Sequence, residues 1–214
     1  MSSNIVGYNK VDVTASSFDI LGSQFTNIGD VDIDIQDLFS EGIAEGDRIL
    51  FFNGNGYDGY TYSDITFDES FNLLGAGWQD DNTQIRANRV IVPGEAFWIR
   101  STTSKQLTFS GEVSVTNVYS FVGGNANQLV ALPVPQVVNL QDVSFKNIAD
   151  GDRIQVYNGS GYDAYTYSEV TFDENFNLLG AGWQDDATQF RTDKKVNLGK
   201  GFWIKAAGTI EIGL

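Results

Sequence analysis

Apolar and polar residues alternate with a period of two along much of this chain. Ile49 and Phe51 are apolar around Leu50, and the run recurs as Ile154, Gln155 and Val156. A position that is Leu in one copy and Gln in the other reads as the outward face of a strand, with Ile and Phe or Val facing in. Val31, Ile33 and Ile35 repeat the pattern, with Asp30, Asp32 and Asp34 on the opposite face. Further strands are expected over residues 60–62, 97–99, 107–109 and 113–118. Asn53-Gly54 and Asn158-Gly159 mark turns, and Leu-Gly-Ala-Gly at Leu74 and Leu179 supplies two glycines per copy where left-handed backbone is cheap. Only IQDLFSEG, from Ile35, and LQDVSFKN, from Leu140, suit a short helical turn, and no segment carries an apolar stripe at helical spacing. The expected class is all-β.

The two runs belong to a duplication. The segment starting at Gly46 aligns without a gap on the one starting at Gly151, and about two positions in three are identical between Gly46 and Ile99. Upstream, IQDLF at Ile35 matches LQDVS at Leu140. FDILGSQF at Phe18 matches QLVALPVP at Gln128 once about five extra residues are allowed in the first copy. The expected organisation is two tandem modules, 1–111 and 112–214, each a small β-sandwich or barrel-like unit of about eight strands.

Composition narrows the function. A chain of 214 residues with 42% hydrophobic and 19% charged residues is globular. Histidine and cysteine are both absent, which removes Ser-His-Asp triads, thiol nucleophiles, thiolate or imidazole zinc sites and disulfides. A formal charge of -15 and a pI near 4.1 argue against nucleic acid as a partner. No apolar run is long enough to span a bilayer, and MSSNIVGYNK lacks the regions of a signal peptide. The expectation is a processed start and an extracellular or cell-surface protein.

The pattern N-x-L-V-x-L-P, then G-D-x-I-x-x-Y-N-G-x-G-Y, then G-x-G-F-W-I resembles a β-repeat of secreted and cell-surface bacterial proteins. Copies of that repeat open on G-x-N-L-I-x-L-P and close on P-G-x-G-[FY]-W-[VI]. Residues 129–133, 151–162 and 199–204 carry the likeness in copy two, and residues 47–57 and 93–99 in copy one. Copy one departs at residues 18–22, which lack the proline, and at Ala96, where the last glycine is alanine. The resemblance implies an exported β-module, often without catalysis, and no particular ligand.

Two constellations could carry chemistry. Tyr57, Tyr60 and Trp78 recur as Tyr162, Tyr165 and Trp183; exposed, such rings stack on sugars, and buried, they fill the core. Trp98 and Trp203 lie between apolar neighbours and read as packing. Loop carboxylates, among them Asp58, Asp68, Asp80 and Asp81 with their counterparts, could supply the oxygen ligands of Ca²⁺. However, no D-x-D-x-D-G loop is present, and Asp also caps turns unaided. No cofactor and no catalytic residue are expected.

The leading expectation is a non-enzymatic structural protein whose subunits join head to tail into a fibre or surface array through their terminal strands. The chain ends TIEIGL and begins SSNIVGYNKVDV; laid end to end, these mimic the internal junction LTFSGEVSVTNVYS. An interface between unlike ends does not close and generates filaments. Asn4, Ile5, Val6, Tyr8, Ile210, Ile212 and Leu214 are the candidate interface. Acidic residues crowd the first module and Lys194, Lys195, Lys200 and Lys205 the end of the second, so opposite charge would steer the ends together. The alternative is a secreted carbohydrate- or partner-binding, adhesin- or lectin-like protein that uses the Tyr and Trp clusters.

Overall fold

A computed structural model describes residues 6–27, 29, 31–113, 119–121, 126–133 and 135–213. The first copy supplies β1 (Val6–Val13), β2 (Phe18–Gly22), β3 (Ile33–Asp34), β4 (Arg48–Phe52), β5 (Tyr57–Phe67), β6 (Leu73–Asp80), β7 (Val90–Ile91), β8 (Ala96–Arg100) and β9 (Lys105–Glu112). The second supplies β10 (Tyr119–Phe121), β11 (Asn127–Ala131), β12 (Val138–Asn139), β13 (Ser144–Lys146), β14 (Arg153–Tyr157), β15 (Tyr162–Phe172), β16 (Leu178–Asp185), β17 (Lys195–Val196), β18 (Gly201–Lys205) and β19 (Ile210–Gly213). Among the described residues, helical structure is confined to 3-10 turns at Ile35–Asp37 and Leu140–Asp142, in the two segments that suit one. The chain is all-β.

In the first copy an antiparallel sheet in the order β2-β8-β4-β5-β6 lies over the smaller pairs β1-β9 and β3-β7; in the second, β11-β18-β14-β15-β16 lies over β10-β19-β13 and β12-β17. Neither five-stranded sheet closes on itself, so each module is an open sandwich and not a barrel. The layers meet through alternating side chains: Ile49, Phe51, Phe97 and Ile99 from the large sheet pack with Val11, Val13, Leu107 and Phe109 from the small one. Ile33 and Ile35 point into this core as the alternation requires. Val31 is exposed, because the strand begins only at Ile33.

Half-buried glutamines tie the 3-10 turns to the large sheets. The Gln36 amide donates to the carbonyls of Trp78 (2.9 Å) and Ala87 (2.8 Å) and accepts from the Trp78 N–H (2.8 Å). Gln141 repeats this on Trp183 and Thr192. The second glycine of Leu-Gly-Ala-Gly serves this clamp: a Cβ at Gly77 would lie 2.5 Å from the Gln36 carbonyl oxygen. The first, Gly75, has φ +81, the left-handed backbone expected there.

Both described end strands are paired within the molecule. β1 runs against β9 from Val6↔Glu112 to Val13↔Lys105, and β19 lies between β10 and β13. Ile210 and Ile212 are therefore fully buried in the second core and not part of an outer interface, whereas Val6 and Tyr8 are exposed on β1. Asn4, Ile5 and Leu214 lie outside the described residues, as does most of the strand expected over 113–118.

The modules meet back to back through the outer faces of their large sheets. Ile20 and Ala96 pack against Leu129 and Ala131, flanked by Phe52, Trp98, Tyr157 and Trp203. The contacts at the centre are returned. The Gly22 N–H donates to the Gly199 carbonyl (2.9 Å) and the equivalent Ala131 N–H to the Gly94 carbonyl (2.8 Å). Phe52 meets Trp203 edge-on at 4.9 Å between ring centres, and Tyr157 meets Trp98 at 5.1 Å. The junction is a pseudo-twofold interface that joins like faces and covers both, so it cannot be repeated between molecules as an end-to-end contact would be. The contact between the modules is thus back to back, whereas the template for head-to-tail joining is read from residues 107–120, of which 114–118 lie outside the described residues.

Two substitutions test this account of the packing. A Cβ at Gly22 would overlap that of Ala131, so Gly22→Val should force the sheets apart and lower the thermal midpoint by roughly 5 °C, the scale of overpacking a core; an unchanged midpoint would contradict the junction. Asp47 is buried and accepts from the Ala44 and Thr102 N–H groups, the Ser101 hydroxyl and the Lys105 ammonium. Burial opposes its charge, but these donors outweigh burial and hold its carboxyl below the usual range. Its stabilising effect is thus complete above the ordinary carboxylate range and lost as pH falls through the lowered value. Asp47→Asn should cost about 3 kcal/mol at pH 7 by leaving Lys105 unpaired, and the gap to wild type should narrow at pH 3 in denaturant unfolding. A gap that is constant with pH would contradict the ionic role.

Candidate functional site

The structure divides the aromatic residues singled out by the sequence. Trp78 and Trp183 are 1% and 2% exposed, and Tyr60 and Tyr165 are also buried. These four sit at inward positions of β5, β6, β15 and β16 and fill the cores, so they are not available to stack on a ligand. Tyr57 and Tyr162, at the start of β5 and β15, are 46% and 44% exposed. The sequence missed the rings around them: Phe18, Phe52 and Tyr157, with Trp98 and Trp203, which read as packing. One signal was visible. Trp98 and Trp203 alternate with the inward Phe97 and Phe202, and that outward face is the one that lines the junction.

The rings form two edge-to-face series beside the pseudo-twofold. Phe18, Trp98, Tyr157 and Tyr162 follow one another at 6.1, 5.1 and 5.6 Å between centres. Tyr57, Phe52 and Trp203 follow at 5.6 and 4.9 Å. Burial raises the pKa of the Tyr162 hydroxyl, which is hydrogen-bonded with Trp203 and lies near the hydroxyls of Tyr57 and Tyr157. Edge-to-face contacts fix the rings without solvent-facing side chains having to order on binding.

The pseudo-twofold is broken at one side. Phe18, Leu50, Tyr57, Trp98 and Tyr157 line an apolar depression of about 310 Å³. The pairing of β2 with β8 and of β11 with β18 sets Phe18 equivalent to Asn127, one position from the Gln128 of the sequence match, and Leu50 is equivalent to Gln155, so the same floor cannot form around Trp203. Phe18 and Tyr157 also border a second cleft, of about 470 Å³, that carries Ser17, Asp19, Asn158, Lys194, Lys195 and Lys200. Its size is that of small-ligand sites. Lys200 pairs with Asp19, and Lys194 pairs with Asp163 at 2.8 Å, 5.8 Å above the Tyr165 ring. Burial opposes the Lys194 charge, but Asp163 and the Tyr165 hydroxyl outweigh it and raise its pKa. A continuous surface therefore runs from an apolar floor to a cationic wall, with residues from both modules.

The loop carboxylates are engaged locally. Asp68 accepts from the N–H groups of Ser70 and Asn72 and from the Asn72 amide, each at 2.8 Å, and Asp173 does the same in copy two. Those bonds lower both pKa values. Asp80 and Asp185 cap the turns that follow, Asp81 and Asp186 bind Arg48 and Arg153, and Asp58 accepts from Asn53. Among the described residues no three acidic side chains converge as metal ligands would, and no helix is long and apolar enough to cross a membrane.

The Asp68 and Asp173 clamps have a second effect. They hold Phe71 and Phe176 at φ 61 and 60, rare for a bulky residue, at the tips of the β5–β6 and β15–β16 hairpins. The two rings are 79% and 75% exposed, beside exposed Leu73, Leu74, Leu178 and Leu179. Over residues 66–81 and 171–186 the copies differ only at Ser70 and Asn175, although these apolar side chains support no core. Strand addition is blocked at the tip edge, because the Arg86 guanidinium donates to the carbonyls of Leu74 and Ala76 (3.3 and 3.1 Å).

Comparison of the chain with protein-family models, with curated proteins and with solved structures finds no match.

Proposed function

We propose that this chain is a non-catalytic, extracellular or cell-surface binding protein that takes a carbohydrate chain in the cleft at its module junction. The observation that carries the reading is the floor of Phe18, Trp98 and Tyr157, bordered by Tyr57 and open on one side to a polar cleft. Sugar rings present an apolar face and a rim of hydroxyls, and a surface with an apolar floor beside polar groups is complementary to both. The two modules supply the floor jointly, so neither copy carries the site alone. Phe18 and Tyr57 are exposed and carry no core packing, so their removal tests binding separately from folding.

Assembly is the second reading, and it has its own observation, the paired apolar hairpin tips. Two like tips on one molecule make it bivalent, and contacts between tips of different molecules would extend into a chain without using the terminal strands. Asp68 and Glu69 beside one tip, and Asp173 and Glu174 beside the other, put like charges at such a contact, and salt would relieve their repulsion.

Two measurements separate these readings. In a glycan array followed by titration, wild type should retain a defined set of oligosaccharides, and Phe18→Ala and Tyr57→Ala should each weaken binding about tenfold without moving the thermal midpoint. Retention of no glycan, or variants that bind like wild type, would sink the carbohydrate reading. In sedimentation, assembly through the tips should increase with salt and vanish in the double variant Phe71→Ser, Phe176→Ser. A wild-type monomer at high concentration and high salt would dismiss it.

A further inference from the structure

Resting on the carbohydrate reading, we infer that the junction cleft selects an acidic oligosaccharide, one whose rings carry carboxylates of the uronic acid type. The duplication supplies the argument. Where the cleft has Lys194, Lys195 and Lys200, the equivalent positions of copy one are Arg89, Val90 and Glu95. Arg89 is spent on Glu95 at 2.5 Å and lies 4.0 Å above the Phe51 ring, so the copy-one side carries no net cationic wall. The copy-two side gathers three lysines against two carboxylates, Asp19 and Asp163, which leaves one uncompensated positive charge in a chain of formal charge -15. Maintaining a cationic wall in so acidic a molecule is not accounted for by solubility.

The three lysines differ in what they already hold. Lys194 is paired with Asp163 and Lys200 with Asp19. Lys195 is exposed at the start of β17 and makes no ion pair among the described residues. Val196, its neighbour on β17, points into the core and fixes the strand. Lys195 is thus the free cation of the wall, with the Phe18–Trp98–Tyr157 floor on the other side of the shared border. A sugar ring seated on the floor places its substituents toward the wall, and a carboxylate there gains an ammonium partner at the cost of little protein reorganisation. A neutral sugar keeps the stacking and gains nothing from Lys195.

The probes are oligosaccharides of galacturonic, glucuronic and mannuronic acid, their carboxyl-reduced counterparts of equal length, and an oligoglutamate of equal charge. Against full-length wild type at low salt, at least one acidic oligosaccharide should bind ten times or more tighter than its reduced counterpart, and the ratio should shrink with added salt. Lys195→Glu should lower that affinity at least tenfold and leave binding of the reduced form within twofold. Equal binding of acidic and reduced forms, or equal losses for both in Lys195→Glu, would overturn the acidic selectivity while the carbohydrate reading stands. Oligoglutamate binding as tightly as the acidic sugars would overturn it in favour of charge alone. Failure of wild type to bind any of these or any array glycan would overturn both.

Discussion

The close approach of two sheet faces at the module junction is the constraint on which the rest of the structure depends. Outward faces of sheets ordinarily meet through side chains, with backbones held about 10 Å apart. Here the edges of the two sheets come close enough for the Gly22 N–H to reach the Gly199 carbonyl, because opposed positions hold the smallest residues. Gly22 faces Ala131, and Gly201 faces Ala96, with a Cβ on Gly201 only 2.6 Å from that of Ala96. Each opposed pair has one glycine and one alanine, and two alanines would not fit. The larger rings are displaced to the rim of the contact, where Phe52, Trp98, Tyr157 and Trp203 are half-buried and where Trp98 and Tyr157 join Phe18 in the floor of the site.

Much of the architecture was legible in the residues. The ungapped repeat, the period of two at Ile49 and Phe51, the Asn-Gly turns and the two short helical segments each correspond to an observed element. What the alternation could not supply was the partner of the outward face. Trp98 lies opposite Phe97 in the pleat, and period alone does not distinguish a face turned to water from one turned to a second module. Four stacking candidates, Tyr60, Trp78, Tyr165 and Trp183, failed for the related reason that they have the residue type of a sugar platform and the position of a core side chain. Ala96, the place where copy one departs from its expected glycine, marks the junction, since its methyl occupies the space left by Gly201. Long-range pairing was equally hidden. Nothing local indicates that Ile210 and Ile212 belong to a central strand and not to an open end.

Duplication followed by local difference gives the molecule both its scaffold and its asymmetry. The Gln36 and Gln141 clamps, the hairpin tips and the buried tryptophans are kept in both copies. Differences gather at the rim of the junction: Phe18 against Asn127, Leu50 against Gln155, Val90 against Lys195, Glu95 against Lys200. A pseudo-twofold contact would otherwise present two equal clefts. With these differences one side gains an apolar floor and a cationic wall, while the other keeps an internally neutralised Arg89–Glu95 pair. The hairpin tips, by contrast, remain alike, as expected for surfaces that would act as a pair.

The most direct test of a single site built at the junction is to follow the four tryptophan indole N–H resonances while an oligosaccharide ligand is added. The Trp98 signal should move progressively to saturation at one ligand per chain, and the Trp78 and Trp183 signals should stay in place. Equal movement of Trp98 and Trp203 with two ligands per chain, or movement confined to the core indoles, would contradict the account.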